Sequence, residues 1–141
     1  MEPNKRRLNI AGYSEYPGPR YCNQGDCSGE DFYHLKLNPE FAEAVNSKET
    51  LVINLDGTAG YASSFLDEAF GNLVFDFTEE LVRRNLELIS KQEPDWKEMI
   101  FNEVFADWEE RRLKNKAPKK TEKHQEWYRL EKGILNKKKW L

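Results

Sequence analysis

Between Ser64 and Phe77 the apolar residues Phe65, Leu66, Ala69, Phe70, Leu73, Val74 and Phe77 recur at intervals of three and four. That period predicts a helix from Ser64 to about Asp76, with Asp67, Glu68 and Asn72 on its opposite side. Just upstream, Leu51-Val52-Ile53-Asn54-Leu55-Asp56 is a near-continuous aliphatic run, the mark of a strand buried on both faces. Gly57-Thr58-Ala59-Gly60 turns out of it. Leu8 to Tyr13 alternates like a short first strand, and Asn85 to Ser90 like a third. Ser28-Gly29-Glu30-Asp31 carries the spacing of a helix cap, and predicts a helix with Phe32 and Leu35 inward. Asn38-Pro39 restarts or kinks that helix, and Phe41, Ala42 and Val45 line its second half. Pro94 opens a long helix to about Lys116, striped by Trp96, Ile100, Phe101, Val104, Phe105 and Trp108. Strand and helix thus alternate three times, the pattern of a layered α/β domain.

Two segments break the alternation. Ser14 to Gly29 is rich in Gly, Pro, Ser and Asn, and a loop of that length inside a domain is often functional. After Ala117-Pro118 comes a tail in which Trp127, Leu130, Ile134 and Leu135 suit one apolar face of a solvated helix, despite Gly133. Charge sharpens this division. Residues 1–110 hold 10 basic and 22 acidic side chains, a balance of -12, whereas residues 111–141 hold 12 and 3, a balance of +9. The 141 residues suffice for one domain with a proper core. The expectation is a folded acidic domain over 1–116 and a basic extension over 117–141. No stretch approaches the roughly 18 apolar residues of a membrane span and none resembles a signal-peptide core, so a cytoplasmic protein is expected.

Candidate chemistry is sparse. Cys22 and Cys27 form a C-x4-C pair, which a reducing compartment keeps as thiols. Zinc would need two further ligands, and the two histidines, His34 and His124, are far apart in sequence. No metal and no cofactor is therefore expected. No phosphate-cradling Gly motif occurs, no nucleophile has a motif around it, and the chain reads as a non-enzyme. Asp56 beside Gly57 lies where α/β folds place ligand-facing residues, or forms an Asx-type turn. Arg20 and Glu30 are candidates for a mutual ion pair or an anion site. Ser64, with Asp67 three residues on, fits a second helix cap, and Ser63 can serve the same end. In the tail, Lys119, Lys120, Lys123, Arg129, Lys137, Lys138 and Lys139 are interleaved with Trp127, Tyr128 and Trp140. That mixture suits phosphate contacts and base stacking, hence a nucleic-acid partner, and equally an anionic membrane surface or a partner groove; docking on the chain's own acidic body is the further alternative.

Four segments carry a resemblance: Pro17-Gly18-Pro19-Arg20, Ser28-Gly29-Glu30-Asp31-Phe32, Leu51 to Gly57, and Tyr61-Ala62-Ser63-Ser64-Phe65-Leu66-Asp67-Glu68-Ala69-Phe70-Gly71. In order and spacing they resemble a STAS-like family of unknown function, related to the anti-sigma-factor-antagonist STAS domains, over roughly residues 8–90. The resemblance implies a small α/β domain with a mixed sheet and helices mainly on one face, here followed by a long C-terminal helix and the basic tail. It further implies a non-catalytic regulatory module that binds a histidine-kinase-like ATPase and is switched by phosphorylation of Ser63 or Ser64. Ala62 and Phe65 depart from the better-known domains, which carry an acid and a small residue there. The implied contact surface runs from Asp56, Gly57, Thr58 and Tyr61 through Ser64, Phe65, Asp67 and Glu68. Arg20, Ser28, Gly29 and Glu30 flank it.

Overall fold

The computed structural model describes residues 4–139. Thr50–Asn54 (β2) is the middle strand of a three-stranded sheet, paired with Lys5–Asn9 (β1) on one side and Leu86–Ile89 (β3) on the other. Both pairings are parallel, so the expected mixed sheet is not formed. Ile53 lies level with Leu8 and Leu88, and the two-residue period puts Leu8, Leu51, Ile53, Leu86 and Leu88 on the face toward the helices. Lys5, Arg7, Thr50, Val52 and Glu87 share the other face, where Lys5 Nζ is 3.4 Å from Glu87. The aliphatic run of β2 therefore feeds one core, and Val52, although buried, stands outside it. The first strand ends earlier than its alternation suggests: Ile10–Tyr13 is a single helical turn (α1) that buries Ile10 completely.

Gly29–Phe32 (α2) begins as its cap motif predicts, Ser28 Oγ accepting the Asp31 N–H at 3.0 Å. It continues without a break through a π turn, Tyr33–Leu37, into Asn38–Asn46 (α3). Pro39 has no N–H to give, and the widened turn passes the Asn38 N–H to the Tyr33 carbonyl instead. Asn38 is thus a buried helical residue and not a cap. The extra residue also rotates the helix face, leaving Leu35, expected inward, 47% exposed.

The helix expected from Ser64 runs over Ser63–Phe77 (α4), and its apolar stripe is buried throughout. Its other side is not open. Glu68, Asn72 and Asp76 are buried as well, because further elements cover that face. One is the helical run of Pro94–Met99 (α6), a π turn over Ile100–Val104, and Phe105–Leu113 (α7). A single long helix to Lys116 was expected there; the structure has three segments ending at Leu113. Gly71 permits the closest approach, since a Cβ on it would lie 2.0 Å from the Trp108 ring. Between α4 and β3, Glu79–Asn85 (α5) is capped by the Thr78 hydroxyl.

The tail corrects the sequence reading most. Residues 127–138 form an antiparallel hairpin, Trp127–Glu131 (β4) and Ile134–Lys138 (β5), and not a helix. Lys132 and Gly133 have φ of 53° and 77°, the left-handed pair of a two-residue hairpin turn. Trp127 is buried, and Tyr128 and Leu135 pack against the core. No helix among the described residues is long and apolar enough to cross a membrane.

Candidate functional site

The N-terminus of α4 meets the long loop and α7 at one side chain. Asp67 Oδ2 is 2.5 Å from Arg20 Nη1, and its Oδ1 accepts from Trp108 Nε1 at 3.0 Å. The same Arg20 nitrogen donates to Glu68 at 3.2 Å. Arg20 therefore pairs with α4 and not with Glu30. The loop holds it there by folding back on itself, with Gly18 N–H bonded to the Cys27 carbonyl and Gly29 N–H to that of Pro19. Arg111 lies over the Trp108 ring at 4.3 Å and closes the stack. Burial pushes the Glu68 carboxyl above its ordinary range, against the opposing bonds from Asn72 and Arg20.

A cleft of about 200 Å³ opens beside this knot, lined by Arg20, Ser63, Asp67, Met99, Glu103, Val104 and Asp107. Through Met99 and Glu103 it continues into a larger one of about 530 Å³ along α6, which adds Glu93, Asp95, Trp96, Glu98 and Asn102. Arg20 is the one cation lining either cleft among the described residues. Ser63 is exposed as the first residue of α4, and Ser64 is half-buried as the second. Ala62 holds the cap position, with no side-chain bond. The Ser64 cap is thus not formed, because the helix starts one residue early and Asp67 is engaged elsewhere.

A buried polar layer lies on the other side of α2 and α4, and the tail completes it. Glu30 Oε1 accepts from Cys22 N–H and the Thr121 hydroxyl, at 3.0 and 2.6 Å; Oε2 accepts from Thr121 N–H at 2.8 Å and faces His124 Nε2 at 2.6 Å. Burial works to raise this carboxyl, but the bonds from Thr121, His124 and Cys22 prevail and bring it to about 2. His124 stacks on His34 at 4.1 Å, so the fold joins the two distant histidines. Burial, helped by His124 and Lys120, lowers His34 to about 2 and keeps it neutral. Among the described residues His34 Nδ1 and Trp127 Nε1 have no hydrogen-bond partner. Further along, Asp76 accepts from Tyr33 and, at 2.7 Å, from Arg129, while the Asn38 side chain accepts the Tyr128 N–H at 2.8 Å and donates to its carbonyl at 2.9 Å. Burial raises the Asp76 carboxyl despite Arg129 and Tyr33.

The remaining candidates fall into two sets. Ser28, Gly29, Glu30, Phe65 and Glu68 are buried and present nothing to a partner. Asp56, Gly57, Thr58 and Tyr61 form a loop that ties the ends of β2 and β3. The Asp56 carboxylate accepts the N–H groups of Lys91 and Gln92, at 3.0 and 2.9 Å, and Tyr61 donates to the Leu55 carbonyl at 2.7 Å. The Asx turn here belongs to Asn54, which accepts the Asp56 N–H. In the tail, Arg129 pairs with Asp76, Lys138 with Glu131 at 2.7 Å, and Lys120 covers the buried Trp127 at 4.5 Å. Lys119 sits over Tyr21 and Lys137 over Tyr128, and Lys123 and Lys139 are exposed. With Trp127 inside and Arg129 and Lys120 facing the body, these three residues do not present the expected stacking surface for bases; Trp140 lies outside the described residues. Sequence reasoning missed Tyr33, Asn38, Asp76 and Thr121, and passed over His124 because its partner stood far away in the chain.

Among known proteins, residues 28–96 match a family model described as a STAS-like domain of unknown function (DUF4325). No curated protein and no solved structure matches the chain. The match starts at the Ser28 cap and takes in α2 to α4, β2, α5, β3 and the start of α6. Two strands of the sheet, the central helix and the serine pair at its start therefore lie within residues 28–96, the stretch that is similar to a STAS-like domain of unknown function.

Proposed function

We propose that the chain is a non-catalytic regulatory module that binds a protein partner across the groove beside the N-terminus of α4. A STAS-like domain suggests a regulatory role in protein interaction. The observation that carries it is the position of Ser63, exposed at the lip of a cleft whose walls come from the loop, α4 and the α6–α7 run. The groove is acidic, with Glu93, Asp95, Glu98, Glu103 and Asp107 along it and Trp96 and Met99 as apolar footing. A partner that complements it presents basic and apolar side chains. The partner favoured by the STAS-like resemblance is a histidine-kinase-like ATPase.

A phosphoryl group on Ser63 adds about -1.5 to -2 charges at neutral pH. It enters a cleft already holding Asp67, Glu103 and Asp107, with Arg20 engaged by Asp67 and Glu68. Modification would change the charge of the docking face and leave the packing beneath it intact. Binding to a purified histidine-kinase-like ATPase from the same host, followed by calorimetry, tests this. Ser63→Asp and Asp107→Lys are each expected to weaken binding at least about tenfold, a cost near 1.4 kcal/mol, with unchanged circular dichroism. Unaltered affinity in both variants would overturn the proposed face.

A further inference from the structure

A second polar cavity, of about 150 Å³, lies away from the groove and is lined by Cys22, Gly25, Asp26, Cys27, Asp31 and Glu122. Three chain segments meet in it: the loop, the first turn of α2, and the irregular stretch before β4. Cys22 Sγ and one carboxylate oxygen each of Asp31 and Glu122 lie within 4.8 Å of one another. The same sulfur belongs to a second set with Glu30 and His124, within the same limit. We propose that Cys22, Asp31 and Glu122 form a binding site for one divalent cation of the zinc class.

The donor set selects the ion. A tetrahedral zinc with Zn–S near 2.3 Å and Zn–O near 2.1 Å holds its donors roughly 3.4–3.6 Å apart, so groups within 4.8 Å of one another need to close by at most about 1.4 Å. A thiolate beside two carboxylates disfavours magnesium and calcium, which take oxygen alone. The three side chains bring three negative charges once the thiol proton has left to solvent, which happens as the sulfur–metal bond forms. Asp26 and Cys27 line the same cavity and, with solvent, are the candidates for a fourth ligand.

The surroundings hold these ligands as outer-sphere groups hold them in metal sites. Ser28 Oγ donates to Cys22 Sγ at 3.3 Å, and Tyr13 donates to Asp31 at 2.5 Å. Glu30 is a positioning residue and not a ligand, because donors already occupy both its oxygens. Through Thr121 and His124 it pins the stretch that carries Glu122, and the Thr121 hydroxyl also accepts the Asn23 N–H at 3.1 Å. Spacing along the chain conceals the site, since its ligands are one thiol and two acids from remote segments.

The test uses the full chain, reduced and stripped of metal, titrated first with Co²⁺ and then with Zn²⁺. The expected result is one equivalent bound, with the visible bands of tetrahedral cobalt and a near-ultraviolet sulfur-to-cobalt band, both bleached by zinc. Cys22→Ser should abolish the sulfur band, and Glu122→Gln, at an exposed position, should weaken zinc at least about tenfold. No saturable binding would overturn the proposal, as would a sulfur band that survives Cys22→Ser and disappears in Cys27→Ser. If Cys22→Ser does not fold, Glu122→Gln decides alone: unchanged zinc affinity in it refutes the site.

Discussion

Gly71→Ala sets two effects of opposite sign against each other. In a helix interior alanine is favoured over glycine by about 0.8–1.0 kcal/mol, so local propensity predicts a more stable protein. The structure predicts the reverse. A Cβ at Gly71 would stand 2.0, 2.2 and 2.3 Å from three atoms of the Trp108 indole, whereas carbon contacts come to rest at about 3.5–4.0 Å. The ring must therefore retreat by roughly 1.5 Å. It has little room, being 2% exposed, bonded to Asp67 through Nε1 and covered by Arg111. Forcing extra volume into a packed interior costs about 1–3 kcal/mol, occasionally more. The loosened Asp67 bond adds about 0.5–1.5 kcal/mol. After subtraction of the propensity gain, a net loss of about 0.5–3.7 kcal/mol remains. Urea unfolding followed by tryptophan fluorescence measures it, and Gly71→Ser should be at least as damaging. A Gly71→Ala protein as stable as the parent, or more so, would refute the close approach of α7 to α4.

Arg129→Met leaves Asp76 buried without its cation, and removal of one member of such a pair costs about 3–5 kcal/mol; a loss below about 1 kcal/mol would show that the hairpin contributes little. Asp76 has its pKa raised by burial, so the folded state holds that proton more tightly than the unfolded chain. Its contribution is full below the ordinary aspartate range and is lost as pH rises through the raised value, a decline that unfolding from pH 3 to 8 should show as steeper in Arg129→Met. Glu30 has the opposite sign: held at about 2, it contributes stability above its ordinary value, lost as pH falls toward 2. Glu30→Gln should lower stability at neutral pH and flatten this acid limb. Gly133→Val places a branched side chain at φ 77°, at a cost of about 1–2 kcal/mol, and amide exchange should quicken across Trp127–Lys138 first.

What the sequence displayed was whatever a short window decides. The β2 run, the stripe of α4 and the Ser28 cap are read from neighbours in the chain, and each appears where expected. The tail failed because Trp127, Leu130, Ile134 and Leu135 satisfy a helical spacing as well as a strand's, and the deciding fact is a left-handed Lys132-Gly133 turn. Glu68 and Asn72 were placed on an open face because nothing local announces that α7 will cover it. The same holds at the candidate site. Ser63 and Ser64 were legible as the start of a helix. The partner of Arg20 was not, since an arginine in a loop can reach any carboxylate the fold brings near, and the fold brought Asp67 and Glu68. The two π turns were invisible too, since one extra residue per helix leaves the apolar spacing almost unchanged.

The interlocking of residues 121–129 with α2 and α4 bears on how the protein is made. A ribosome delivers the chain from its N-terminus, so β2, α4 and their apolar stripe emerge long before Thr121, His124 and Arg129. Until those three appear, Glu30 has only the Cys22 N–H and Asp76 only the Tyr33 hydroxyl of the donors described above, and the layer around them stays wet. The helices can collapse early, but the last stage of folding waits for the hairpin. A chain cut short in translation near residue 117 would retain the whole sheet and the central helix yet remain loosened on one side, a state that cellular proteases recognise. Synthesis as far as the hairpin is in this way checked by the fold itself.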